Sequence, residues 1–177
     1  MAKYSKDELF KLLLTNIPEF NEIKNSQGSL DLSELELGEV EISQADFSSC
    51  DLTGSDFSQS NLTEVNFTEA DLSGVNFSRA NFTECDFTYA NLTGADLSYS
   101  VVNYCNFSEA DMTGAQLIEA DLTDSDFSNC ETLNATRFDD GTIWPDNDKL
   151  PDEFDTTYAK DLSSLDDEED NQSSFDY

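Results

Sequence analysis

Histidine is absent from this 177-residue chain. That removes the side chain most used as a general base near neutral pH and the most common metal ligand. Positive charge is scarce too: eight lysines and arginines face 39 aspartates and glutamates, for a net charge of −31. Direct binding of nucleic acid through its phosphates is thereby excluded. No apolar run approaches the length needed to cross a membrane. The opening residues, Met1 to Glu8, lack the basic-then-apolar layout of a secretory signal, so a cytoplasmic protein is the expectation. Ordinary helix and strand periodicity is missing over about a hundred residues in the middle of the chain.

What stands there instead is a period of five. From Leu32 to Phe127 a large apolar residue recurs at every fifth position without a break. Two residues before each of these centres is a small or apolar residue. One before is nearly always Asp or Asn, and one after is nearly always Ser or Thr. Fixed-period self-similarity predicts a solenoid, in which each unit buries its apolar face by stacking on its neighbours. The centre and the small residue point inward, and the other three positions lie at or near the surface.

A longer period sets the number of sides. Gly54, Gly74, Gly94 and Gly114 are spaced by twenty, and so are Phe47, Phe67, Phe87, Phe107 and Phe127. Four sides of five residues per coil account for both. The glycine column predicts a corner with φ > 0 in each coil. The phenylalanine column predicts an offset-packed ladder along the axis. All four cysteines, Cys50, Cys85, Cys105 and Cys130, fall at the small inward position. Buried reduced thiols are the expected state, although Cys85 and Cys105 stack within disulfide range at about 4.8 Å.

Units such as Ala70-Asp71-Leu72-Ser73-Gly74, Ala90-Asn91-Leu92-Thr93-Gly94 and Ala120-Asp121-Leu122-Thr123-Asp124 closely resemble the consensus of the pentapeptide repeat family. The resemblance covers more than half of the chain. It implies an all-β fold, the right-handed quadrilateral β-helix (pentapeptide repeat solenoid), here of about five coils with an N-terminal α-helical cap. At about 4.8 Å per coil the rod is about 24 Å long.

The domain reading is a helical cap over 1–29, the repeat over 30–138, a closing segment over 139–160 and an acidic disordered tail over 161–177. Ser5 and Glu8 form a capping box for a helix over 5–17, and Pro18 closes it. Leu30, Leu35 and Val40 stand where later coils carry smaller residues, which predicts a wider first coil filled partly by the cap. The segment after Cys130 resembles the Trp/Phe-Pro closing segments of the family, with Ile143, Trp144, Leu150 and Phe154 expected as the plug. Asp139-Asp140-Gly141 and Asp146-Asn147-Asp148 depart from EF-hand spacing and read as turns, so no metal or other cofactor is expected.

Acid is distributed unevenly. Residues 30–138 carry 21 acids against Arg79 and Arg137, a net −19, while residues 1–29 balance four acids with four lysines. Most variable fifth positions are Glu, Gln, Ser, Gly or Asp, and the exceptions cluster at Arg79, Tyr89, Tyr99 and Tyr104, with Val101 and Ile118 nearby. Arg79 and Tyr99 are twenty apart and stack in one column, which permits a cation–π contact. These six residues form the candidate protein-binding patch, because Tyr and Arg are favoured at interfaces.

The expected function is a non-catalytic interaction scaffold for another protein, itself a monomer or weak homodimer. The resemblance also supplies an alternative, an inhibitor or protector of DNA gyrase, or of another DNA-binding protein, that mimics B-DNA. DNA carries about 14 charges over 24 Å, comparable to the net −19 of the repeat. An enzyme is disfavoured, since the repeat places its carboxylates on a solvated exterior with no pocket to shift their pKa values.

Overall fold

A chain that turns every five residues has little room for conventional strands, and its backbone groups pair from coil to coil instead. The computed structural model describes residues 4–157. Leu72 N–H donates to the Asn91 carbonyl at 2.8 Å, and Asp71 N–H donates downward to the Cys50 carbonyl at 2.9 Å. Parallel bridges at a spacing of twenty, such as Asp51↔Asp71 and Asn66↔Asp86, repeat this on every side. The result is the four-sided β-helix that the doubled periodicity predicts. The first side is centred on Leu52, the second on Phe57, the third on Leu62 and the fourth on Phe67, with their counterparts above and below.

The sides are not equivalent. On the first, second and fourth sides each unit closes as a turn, save the first two units of coil one: Val75 N–H donates to Leu72 C=O at 3.1 Å, and Ala90 N–H to Phe87 C=O at 2.9 Å. The Asp or Asn before the centre braces that turn, as where Asp71 Oδ1 accepts the Ser73 N–H at 3.0 Å and Asp86 Oδ1 that of Thr88 at 2.9 Å. This explains why the position is nearly always Asp or Asn, whose short side chains reach the backbone two residues on. On the third side of the first four coils neither bond occurs among the described residues. There the backbone is extended as β1 (Glu41–Ser43), β2 (Asn61–Thr63), β3 (Asn81–Thr83) and β4 (Val101–Asn103). They pair in parallel, in the order β1-β2-β3-β4, with Leu62 against Phe82 and Phe82 against Val102.

An open turn frees one N–H and one C=O inside the rod, and at coil four the inward small residue one coil above satisfies both. Ser125 Oγ accepts the Cys105 N–H at 3.1 Å and donates to the Val102 carbonyl at 2.8 Å. Cys85 reaches the carbonyl of the turn below it with sulfur, donating to Leu62 C=O at 3.4 Å. Cys105 Sγ instead donates to the Asn103 carbonyl of its own strand at 3.4 Å. On the first side of coil one, Ser55 Oγ bridges the Leu35 N–H at 3.0 Å and the Leu32 carbonyl at 3.1 Å.

The glycine column has the expected positive φ, 65° at Gly54 and 64° at Gly74. Positive φ is not confined to the glycine column: the residue two after the centre adopts it on all four sides, as in Gln59 (59°), Arg79 (62°), Glu84 (56°) and Tyr99 (61°). A Cβ placed on Gly54, Gly74 or Gly94 meets nothing within 4 Å. These glycines therefore relieve backbone strain without being demanded by packing. Gly74→Ala is expected to cost about 1 kcal/mol and Gly74→Asn less, because asparagine tolerates this region. Denaturant midpoints of the two variants check it.

The interior is filled by aromatic stacking. Successive rings of Phe47, Phe67, Phe87, Phe107 and Phe127 lie 5.4, 4.9, 4.7 and 4.4 Å apart, within 13° of parallel. Centroids this far apart in near-parallel rings mean offset contact, the favoured arrangement. Phe57 and Phe77 meet the ladder edge-on from the second side, at 6.1 Å to Phe47 and 6.3 Å to Phe87.

The N-terminal cap is two helices rather than one. The helix α1 spans Lys6–Thr15 and α2 spans Ile17–Gln27. The capping box is present, with Glu8 Oε2 accepting the Ser5 N–H at 2.7 Å. Pro18 opens α2 instead of only ending α1, since a first-turn proline has no intrahelical N–H to lose. Asn16 serves both helices: its N–H donates to the Leu12 carbonyl and its side chain accepts from the Glu19 N–H. Leu9, Leu13, Phe20 and Ile23 are buried, with Phe20 edge-on to Phe47 at 5.6 Å. Leu30 and Leu35 of the first coil are buried with them, and Val40 packs alongside. The exposed edge of coil one is paired by Asn21, which accepts the Asp46 N–H at 2.9 Å and donates to the Gln44 carbonyl at 2.8 Å. Lys24 and Lys6 clamp the same end through Asp46 at 3.5 Å and Asp31 at 3.1 Å.

At the other end the rod has an enlarged sixth coil. Gln116 bridges Arg137 and Asp121 bridges Ile143, partners 21 and 22 residues on, so each side gains a residue. Phe138, Trp144 and Phe154 close the end as a three-ring cluster with centroids 4.9–5.9 Å apart, beside buried Leu133 and Leu150. Ile143 is not part of the plug. It takes the outward position above Asp121 and is 53% exposed, while Trp144 takes the inward one. The tail reading for 161–177 lies outside the described residues.

Candidate interaction surface

Arg79 and Tyr99 stack as their spacing predicts, with the guanidinium carbon 5.0 Å from the ring centroid. The positive φ at both positions swings these side chains out from the corner between the second and third sides. Tyr99 is 47% exposed and Tyr104 62%. They stand at the two edges of one strand, β4, so that Tyr99, Val101, Asn103 and Tyr104 occupy a single side of a single coil. Val101 is tolerated there because the third side makes no bond through this position in the open-turn coils. The neighbouring Asn61 and Asn81 use their amides on each other instead, at 2.9 Å.

Two of the six candidate residues lie elsewhere. Tyr89 is ten residues from Tyr99, two sides of the square away, and so occupies the diagonally opposite corner. Ile118 is half-buried on the second side, where its carbonyl accepts the Tyr99 N–H at 2.8 Å. It lies around the corner from β4.

What the residue-by-residue reading missed is the rest of the third side. Over coils two to four its strand positions are Asn61, Thr63, Asn81, Thr83, Val101 and Asn103, without one carboxylate. The same coils carry Asp51 and Asp71 on the first side, Asp56 and Asp96 on the second, and Asp86 on the fourth. One edge of the third side is Gln59, Arg79 and Tyr99, and the other is Glu64, Glu84 and Tyr104. Each of these residues alone fits the repeat. Only aligning the chain in steps of twenty reveals an uncharged column pair in so acidic a sequence.

All four thiols are free and buried. Burial pushes Cys130 up to about 11 and raises Cys50. The hydrogen bond with Cys85, and then burial, pushes Cys105 far above the usual thiol range. The same bond lowers Cys85, whereas the three raised thiols stay protonated near neutral pH. Among the described residues, no three Cys, Asp or Glu side chains gather as a metal site, and no helix is long and apolar enough to cross a membrane.

Three comparisons bear on the family. The solved structure of a pentapeptide repeat protein from the Arabidopsis thaliana thylakoid lumen is 25% identical over 54% of this chain and 70% of that one, with a TM-score of 0.32. One from Nostoc PCC 7120 is 25% identical over 71% and 82%, with a TM-score of 0.41. QnrB1, a plasmid-mediated fluoroquinolone resistance protein, is 18% identical over 66% and 70%, with a TM-score of 0.36. Such scores describe partial overlap, so the assignment rests on the repeat itself. No curated protein matches the chain. The model of the family described as Pentapeptide repeats matches in eight copies over residues 41–79, 60–98 and 90–129. Those matches span more than half of the sequence, and the chain therefore belongs to the pentapeptide repeat family, with that family's right-handed β-helix as its fold.

Proposed function

We propose that this protein is a non-catalytic interaction scaffold whose third side, over coils two to four, docks a protein partner. The observation that carries this reading is the uncharged strand face β2–β4 in a chain of net charge −31. A partner that covers it desolvates amides, hydroxyls and a valine rather than carboxylates, which avoids the several kcal/mol per ion that burying charge costs. Tyr99 and Tyr104 supply the aromatic anchors at its edges, of the residue type enriched among binding hot spots. The same uncharged side favours a scaffold over DNA mimicry, which needs phosphate-like charge around the whole rod. Supercoiling by DNA gyrase is accordingly expected to be unaffected by added protein.

The test is the double variant Tyr99→Ser/Tyr104→Ser. Both side chains are exposed, so stability is expected to change by no more than about 0.5 kcal/mol. Capture of partners from an extract of the native host is expected to fall for this variant and to persist for Tyr89→Ser on the opposite corner. Equal capture by all three proteins would overturn the assignment of the side.

A further inference from the structure

We infer that the partner of this side is a second copy of the same chain, related by a two-fold axis parallel to the rod. The inference rests on the reading of the third side as a docking surface and adds who occupies it. Its basis is the register of the two edges. Facing a third side with a copy turned about such an axis sets each residue of one edge opposite the residue of the other edge at the same height. At coil three, Arg79 then faces Glu84 of the second copy, and the contact occurs twice. At coil two, Gln59 faces Glu64, an amide against a carboxylate. At coil four, Tyr99 faces Tyr104. On the strands, Asn61 meets Thr63, Asn81 meets Thr83 and Val101 meets Asn103, each pair being the two outward residues of one three-residue strand.

The ends of the side follow the same rule, with one exception. Glu39 faces Gln44 and Glu41 faces Ser43 in coil one, and Asp121 faces Thr123 in coil five. Acceptors thus stand opposite donors. Glu119 opposite Asp124 is the one like-charge level, and it lies at the solvated rim where screening is strongest. The antiparallel alternative centred on coil three does worse. It sets Arg79 against Arg79, Glu84 against Glu84 and Glu39 against Glu119. Charge complementarity therefore selects parallel over antiparallel packing.

One side of a rod about 24 Å long offers less than the roughly 800 Å² per partner of a standard interface. The dimer is accordingly weak, dissociating at about micromolar concentrations or above. Sedimentation velocity of the full chain over a wide concentration range, at physiological ionic strength, tests it. The wild type is expected to show reversible dimerisation. Arg79→Glu and Glu84→Arg are each expected to weaken it about tenfold or more, because each creates a like-charge pair twice. The double variant Arg79→Glu/Glu84→Arg is expected to restore it, a rescue that a misfolded protein does not show.

A wild type that stays monomeric at every concentration overturns the inference, as does a double swap that fails to rescue. The docking side is judged separately. A monomeric protein that still loses a heterologous partner through Tyr99→Ser/Tyr104→Ser keeps the side and rejects the second copy. A dimer indifferent to both the charge and the tyrosine variants rejects both.

Discussion

Truncating Phe87 to alanine is expected to cost about 3–5 kcal/mol, the largest loss for any single side chain in the rod. Its ring is fully buried and touches four others: Phe67 at 4.9 Å and Phe107 at 4.7 Å along the ladder, Phe82 at 5.6 Å and Phe77 at 6.3 Å across it. The loss combines the transfer term of the deleted ring with the cavity it leaves. Collapse into that cavity is resisted, because the backbone on either side is tied into neighbouring coils. Phe67 N–H is bonded to the Asp86 carbonyl at 2.7 Å, and Phe87 N–H to the Asn106 carbonyl at 2.8 Å. Phe127, with one ladder neighbour at 4.4 Å and the looser sixth coil above, has room to relax and is expected to lose less. In a solenoid, stability is shared between adjacent units, so a lesion in the middle also threatens cooperativity. Urea unfolding followed by circular dichroism reads both effects. Should Phe87→Ala and Phe127→Ala shift the midpoint equally, the ladder is not the continuous support described here.

The architecture was legible because one physical constraint, an interior four residues wide, repeats itself twenty times along the chain. Phe over Phe and Arg79 over Tyr99 follow from counting alone. What counting does not show is that one side differs from the other three. Asn61 and Asn81 look like every other residue before a centre, yet they brace no turn, and their sequence neighbours give no hint of it. The double service of Asn16 was hidden in the same way. A proline after an amphipathic run reads equally as the end of one helix and the start of the next. Ile143 fell outside the plug because the sixth coil gains one residue per side, which shifts the inward phase without any mark in composition. The interaction side was half visible. Its tyrosines and Val101 departed from the repeat, whereas its strongest feature, the missing carboxylates, belongs to a column and not to any single residue.

Replacing Ser125 with alanine is the second large effect, and it tests why polar residues sit inside this rod at all. Ser125 is fully buried, and its hydroxyl is the partner of both the Cys105 N–H at 3.1 Å and the Val102 carbonyl at 2.8 Å. Alanine strands both groups in a dry interior, at about 1–3 kcal/mol each, so the loss is expected to reach at least about 2 kcal/mol. That exceeds what removal of one small side chain does through packing. Cysteine is the informative control, since Cys85, at the same position two coils below, already donates to the freed carbonyl of an open turn, with the Leu62 carbonyl 3.4 Å from its sulfur. Ser125→Cys is therefore expected to stay within about 1 kcal/mol of wild type, while Ser125→Val, apolar and larger, behaves like alanine. Denaturant midpoints rank the three. Amide hydrogen exchange supplies the local readout: the Cys105 amide is expected to exchange faster in the alanine and valine variants and to remain protected in the cysteine variant. Equal losses for alanine and cysteine, with Cys105 protected in both, would show that the third side is held open by its strands alone. In that case the hydroxyls and thiols inside it are only fillers of the right volume.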